Sequence, residues 1–288
     1  MGRNLHSLGR KAHALIVELL FAAFVMTVGY KRLSRGGVSA THSEKPFIAV
    51  VTLTRSLVHW QDVRSTAIFQ HLLPSLEHSV NKTEKALVHT ELLVVYDKGD
   101  AFWERRMNRK DLLNSARDIR VRIFSVKRTS ARLPFNEACR TAYELGADYI
   151  VRVNDDSEFI TSGWVSLGIA TLAAFDPPNV GVVGPTCLEG NSRILTHDMV
   201  HKTHLEVFDH YYPPEIENWW VDDWISSVYG NNRTKKLREW TVQHHTNIHG
   251  QRYEENLTIK GLLPMTVMRG RMQLQAYLVT HGLKYNTS

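Results

Sequence analysis

An α/β fold with a mostly parallel central sheet flanked by helices is predicted by three features of this 288-residue sequence. Short β-branched, apolar runs recur at Phe47, Glu91, Val121 and Tyr149, as buried parallel strands require. Segments with helical rhythm lie between them, giving a βαβαβαβ order and hence right-handed crossovers. Several runs end in polar clusters, and the C-terminal edge of such a sheet is where ligands bind.

Taken in order, the chain opens with a tail (1–12) and a nearly continuous apolar segment, His13 to Tyr30, bracketed by Arg10, Lys11, Lys31, Arg32 and Arg35. At a rise of ~1.5 Å per residue it just spans a bilayer's hydrocarbon core, and Glu18 is tolerated only near an interface. A transmembrane signal anchor is the expected reading, ahead of a cleaved signal peptide or a buried soluble helix. Basic residues at both ends leave its orientation open. The polar, aperiodic stretch 31–45 reads as a stem linker.

Pro46 opens the first strand, F-I-A-V-V-T-L-T-R, whose end at Thr52 to Arg55 faces the ligand edge. Asp62 to Leu76 carries a helical rhythm, and Glu91 to Tyr96 is the second strand, ending at Asp97. A crossover over Phe102 to Asp118 leads to strand Val121 to Val126. Pro134 to Leu145 is a helix with Pro in its first turn and Gly146 after its end, feeding strand Tyr149 to Val153. Beyond Phe159 the pattern changes. Ser162 to Phe175 reads as a helix, Val180 to Gly184 as a short strand, and the remainder as an irregular, loop-rich elaboration with many aromatic residues.

Composition narrows the function classes. Net charge is +6 and pI about 9.3, but the basic residues are scattered and no nucleic-acid signature is present. Such a surface suits anionic nucleotides, an acidic acceptor or a membrane face. Two cysteines, Cys139 and Cys187, support neither a disulfide framework nor a cysteine-ligated zinc site; they would bridge only if they meet in space. No G-x-x-x-x-G-K-[ST] or G-x-G-x-x-G loop occurs, against an ATPase or dinucleotide enzyme, and no H-E-x-x-H, against a zinc protease. Sequons begin at Asn81, Asn232, Asn256 and Asn286, which fits a luminal glycoprotein.

Three stretches carry the chemistry. In R-V-N-D-D-S-E-F, Arg152 to Phe159, four oxygen-bearing side chains (Asn154, Asp155, Asp156, Glu158) follow a strand end. They can hold a hard divalent cation and present it to a diphosphate, or simply cap a turn. In N-W-W-V-D-D-W, Trp219, Trp220 and Trp224 surround Asp222 and Asp223. Apolar surroundings raise a carboxylate's pKa, as a general base requires, and indole faces stack on sugar rings. The same tryptophans can be core, and the same acids can cap a helix beginning near Trp224. In T-V-Q-H-H-T-N-I-H-G-Q-R-Y, His244, His245 and His249 could complete a metal shell begun by Asp156. Between the first two, Gly184 to His204 could loop over a diphosphate, with Arg193 or Lys202 meeting its charge. Its His197/Asp198 and His201/His204 pairs permit a second metal or an acid/base pair.

Together, in this order, the stretches resemble glycosyltransferases of the GT-A (Rossmann-like) fold, in particular the motif order of β-1,4-galactosyltransferase-like enzymes. The N-D-D segment looks like a DxD motif with Asn154 in the first acidic place, a departure from the pattern. The resemblance implies that Asp156 ligates the metal, and that Asn154 or Asp155 contacts ribose or metal. N-W-W-V-D-D-W is similar to W-G-G-E-D, implying Asp223 as base and Asp222 as acceptor contact. A metal-binding histidine just before a Q-R-[FY] sequence makes His244 the nearest match ahead of Gln251-Arg252-Tyr253, with His245 and His249 as alternatives. The expected protein is a metal-dependent, inverting hexosyl- or N-acetylhexosaminyl-transferase using Mn2+ ahead of Mg2+. Its nucleotide-sugar donor lies near Thr52, Thr54, Arg55 and Asp97, and a glycan acceptor lies near the tryptophans. Residues 46–160 form the nucleotide-binding half and 161–288 the acceptor-binding half. The chain is then a type II protein of the Golgi or another secretory-pathway membrane. Readings from other classes are a glycan-binding protein with a decayed transferase fold and a metal-dependent phosphodiesterase.

Overall fold

The first strand, β1 (Phe47–Thr54), is fully buried from Ile48 to Val51 and sends alternate side chains into two different cores. Ile48 and Val50 enter one, Ala49 and Val51 the other, so both faces of the sheet must be covered. The computed structural model describes residues 45–127, 133–191, 193–216, 219–249 and 257–282. The expected anchor 13–30, most of the stem 31–45 and Gln251 to Tyr253 lie outside the described residues. Among those described, no helix is long and apolar enough to cross a membrane.

After β1 come a π-helical turn (Ile68–Leu72), α1 (Leu73–Ser79) and α2 (Lys82–Leu87). A capping box starts α2: Asn81 accepts from the Glu84 N–H while the Glu84 carboxylate accepts from the Asn81 N–H. Then follow β2 (His89–Asp97), α3 (Arg106–Ser115), β3 (Arg120–Val126), α4 (Phe135–Glu144), β4 (Tyr149–Asn154), β5 (Ser157–Phe159) and α5 (Trp164–Ala173). The second half contributes β6 (Val182–Cys187), β7 (Asp198–His201), α6 (Thr203–Phe208), α7 (Val221–Val228), β8 (Thr234–His244), α8 (Thr246–His249), α9 (Leu257–Lys260) and α10 (Leu263–Thr280).

All eight strands form a single sheet in the order β3-β2-β1-β4-β7-β6-β8-β5. The first four pair in parallel, as expected. From β4 outward the sheet is mixed: β7 is antiparallel to β4 and β6, β6 and β8 are parallel, and β5 is antiparallel to β8. The sheet is therefore less uniformly parallel than expected, and the second half is more regular. It supplies three strands to the same sheet and an 18-residue helix. One core lies beneath α1, α3 and α5, the other beneath α4, α6, α7 and α10, giving three layers. Gly270 lets α10 close on α7, since a Cβ there would collide with Val228 and crowd Trp224. Cys139 and Cys187 are both buried and unbridged.

Candidate active site

Strand register builds the corner where Asp156 and His244 meet. β4 ends at Asn154, Asp155 and Asp156 make the turn, and β5 runs back out against β8 with Ser157 opposite His244. The His245 N–H then donates to the Asp156 carbonyl at 3.0 Å. Side chains 88 positions apart thereby meet: Asp156 Oδ1 lies 3.0 Å from His244 Nε2, and Asn154 Nδ2 is also 3.0 Å from that nitrogen. Asp156 is 2% exposed and His244 9%.

A separation of 3.0 Å is what two neighbouring ligands adopt when each stands about 2.1 Å from one cation at roughly a right angle. An amide flip of Asn154 would add a carbonyl oxygen to the carboxylate and imidazole, so the donor set fits a first-row divalent ion. Asp155 is spent otherwise, accepting from Thr54 Oγ1 at 2.7 Å and so tying the turn to the end of β1. The Ser56 N–H donates to Asp100 Oδ2 at 2.9 Å, which brings the β1 and β2 exits together. Thr52 is buried, Asp97 half-buried at the end of β2, and Arg55 exposed beyond the end of β1.

Among the three histidine alternatives, His244 meets Asp156, whereas His245 Nε2 bonds Glu158 at 2.7 Å; the His249 side chain is outside the described set. Cys187 and His197 also gather at His244, with ligand atoms of the three within 4.8 Å of one another. His197 is fully buried, bonded through Nε2 to Ser157 Oγ at 3.1 Å. Burial, with His244 and Arg152 nearby, holds its pKa well below the ordinary imidazole value, so it is neutral. Gly184 makes room for this residue, since a Cβ there would collide with the His197 carbonyl.

A second corner is organised by Arg152, two residues before Asn154 and therefore on the same face of β4. Its guanidinium donates to the Thr196 carbonyl (2.8 Å), Tyr212 Oη (2.7 Å) and Asp222 Oδ1 (2.5 Å), and pairs with Asp198 Oδ2 (2.9 Å). Burial alone would lower its pKa, but Tyr212, Asp222 and Asp198 more than offset this and hold it well above the usual value. Tyr211 and Tyr212 each donate to Asp198, at 2.5 and 2.7 Å. Asp198 is thus saturated, and His197/Asp198 does not act as a free acid/base pair. His201 bonds Thr203, and His204 bonds Tyr229 and the Tyr211 carbonyl, so these two are built into the fold.

Asp222 and Asp223 occupy the first turn of α7, where carboxylates complement the helix dipole. Burial raises both pKa values. At Asp222 this is opposed by Arg152, at Asp223 by its own N–H and by Lys260 and Arg193. Burial raises the Cys187 thiol pKa, and the charges of Glu189 and Asp222 add to it. Trp224 is 2% exposed, packed on Phe208, Tyr212 and His204 with its N–H on the Thr266 carbonyl, and so belongs to the core. Trp219 is 38% exposed, and Trp220, in the left-handed region at φ 74°, carries Lys260 Nζ 4.6 Å above its ring.

Sequence reading missed the Arg152 hub. Its partners come from positions 196, 198, 212 and 222, and nothing local in R-V-N-D-D distinguishes a buried arginine from a strand-end one. The usable signal was Tyr211-Tyr212 near Asp198, a pair of hydroxyl donors for a buried anion.

No protein-family model and no curated protein sequence matches the chain. Among solved structures, GalNAc-T7 in complex with UDP, GalNAc and Mn2+ aligns with a TM-score of 0.51 and 10% identity over 69% of this chain and 44% of that one. A mannosyltransferase from Pyrobaculum calidifontis, solved with GDP-Man and Mn2+, aligns at 0.49 and 13% identity over 94% and 86%. S. aureus TarS residues 1–349 align at 0.46 and 13% identity over 67% and 59%. The chain thus spans about 60% of the TarS fragment and less than half of GalNAc-T7. The likeness to GalNAc-T7 reaches the level of a shared fold: this chain has the GT-A fold.

Proposed function

We propose that the protein is a divalent-metal-dependent glycosyltransferase that moves a sugar from a nucleoside diphosphate to an acceptor hydroxyl. The observation that carries this reading is the convergence of Asp156 and His244 at the ligand edge of the parallel strands. GalNAc-T7, whose fold it shares, was solved with UDP and Mn2+, which supports a nucleotide and a divalent cation here; we take Mn2+ ahead of Mg2+ as part of this proposal. Asp156 and His244 hold the cation, with Asn154 beside them. When bound, the cation neutralises charge developing on the departing diphosphate.

The chain's own groups do the rest. Thr52, Thr54, Arg55 and Asp97 border the nucleotide, Arg55 as the exposed cation. Asp223, with its pKa raised by burial, accepts the acceptor's hydroxyl proton as the new C–O bond forms and the bond to the diphosphate breaks, which inverts the anomeric carbon. We assign Asp222 a positioning role rather than an acceptor contact, because Arg152 already occupies one of its oxygens. Trp219 and Trp220 offer the acceptor an aromatic face, whereas Trp224 braces the helix from inside. Placement in a secretory lumen behind a 13–30 anchor draws support from that apolar segment and from the exposed Asn232 of its sequon.

The test is a panel of nucleotide sugars with Mn2+, scored for binding and for slow donor hydrolysis. Wild type should hydrolyse at least one donor, and Asp156→Asn should lose both binding and hydrolysis. Asp223→Asn should keep donor binding and lose transfer once an acceptor is found, by about 100-fold or more. Binding and hydrolysis of none of the panel would sink the reading, and release of nucleoside monophosphate without sugar transfer would favour a phosphodiesterase.

A further inference from the structure

A second cluster of metal-ligating side chains forms beside the first, where three elements meet. His71 stands on the π-helical turn, Glu158 at the centre of β5, and His245 directly after β8. Their ligand atoms lie within 4.8 Å of one another. His245 Nε2 is 2.7 Å from Glu158 Oε2, and the His71 and His245 rings stack with centroids 4.0 Å apart at 23°. A π-helical turn is rare and tends to occur at functional sites; here its register sets an imidazole against the strand pair. All three residues are partly exposed, although the His71 Nε2 atom is itself buried.

We propose that His71, Glu158 and His245 form a second cation site, separate from Asp156 and His244 and selective for a first-row transition ion of the Zn2+ type. Two imidazole nitrogens and one carboxylate oxygen, with a fourth position left to solvent, are a donor set for Zn2+, whereas Mg2+ and Ca2+ favour oxygen alone. Glu158 is two residues from Asp156, and His245 is next to His244. An ion here ties the π turn, β5 and the end of β8 together, and so fixes the spacing of the first corner.

The test needs no nucleotide sugar and so stands or falls apart from the transferase reading. The full chain, stripped with chelator, is titrated with Zn2+ alone; bound metal is counted after equilibrium dialysis and thermal unfolding is followed. Glu158→Gln and His71→Asn should each weaken one Zn2+ equivalent by about tenfold or more and remove the associated rise in Tm, while Asp156→Asn leaves that equivalent in place. Glu158→Gln is nearly isosteric and partly exposed, so it keeps the test decisive if His71→Asn does not fold. Equal Zn2+ stoichiometry and affinity in all variants, or a loss confined to Asp156→Asn, would overturn the proposal.

Discussion

Asp156 is buried and Asp222 partly exposed, and the two aspartates meet opposite kinds of partner. Asp222 meets Arg152, a fixed cation at 2.5 Å within a network that also saturates Asp198. Asp156 meets an imidazole, a group that binds metals, and an amide beyond it. The first anion is compensated from within the protein and is structural. On the proposed function, a bound cation would complete the second. Residue type alone does not separate the two; what separates them is whether the partner is a permanent charge or a ligand.

The sharpest way to break this contrast is to remove the internal cation. Arg152→Met should destabilise the fold by about 3–5 kcal/mol in denaturant unfolding, because Asp198 and Asp222 are left without their counter-charge. Asp156→Asn should change stability by less than about 1 kcal/mol. Similar costs for the two would erase the distinction. The tryptophans offer a parallel test of closed against open surface. Trp224→Ala should cost about 3–5 kcal/mol, and Trp219→Ala within about 0.5 kcal/mol, by the same assay.

A smaller effect comes from protons. Burial lowers the pKa of His201 and of His204 to about 4. The unfolded chain therefore binds more protons than the folded one below about pH 6.5, so stability is full above that pH and falls as pH drops towards 4. Each histidine contributes a slope approaching ~1.4 kcal/mol per pH unit. His204→Gln should flatten unfolding free energy against pH across this window; an unchanged slope would show that His204 is not the group responsible.

The first half of the fold was legible because its strands are fully buried and so continuously apolar. β1 to β4 and the helix Phe135–Glu144 fall within a residue or two of the expected bounds. β8 was hidden because T-K-K-L-R-E-W-T-V-Q-H exposes Lys235, Arg238 and Glu239 and buries Leu237, Trp240 and Val242 at irregular spacing, across a register shift in its pairing with β6. The helix Leu263–Thr280 buries only Thr266, Gly270, Leu274 and Leu278, a four-residue stripe among exposed methionines and arginines. Within the site, Asp156 and His244 could be paired because each sits in a short recognisable pattern. The Arg152 network could not, since burying a charge is justified only by partners scattered over the next seventy residues.

The contrast between the two corners rests finally on a cation binding at Asp156 and His244. Electron paramagnetic resonance of Mn2+ mixed with the full chain, with and without a nucleoside diphosphate, reads this directly. Wild type should sequester Mn2+ more tightly when the nucleotide is present, Asp156→Asn and His244→Ala should leave it free, and Asp222→Asn should still bind it. Mn2+ retained by Asp156→Asn, or lost only with Asp222→Asn, would contradict the assignment.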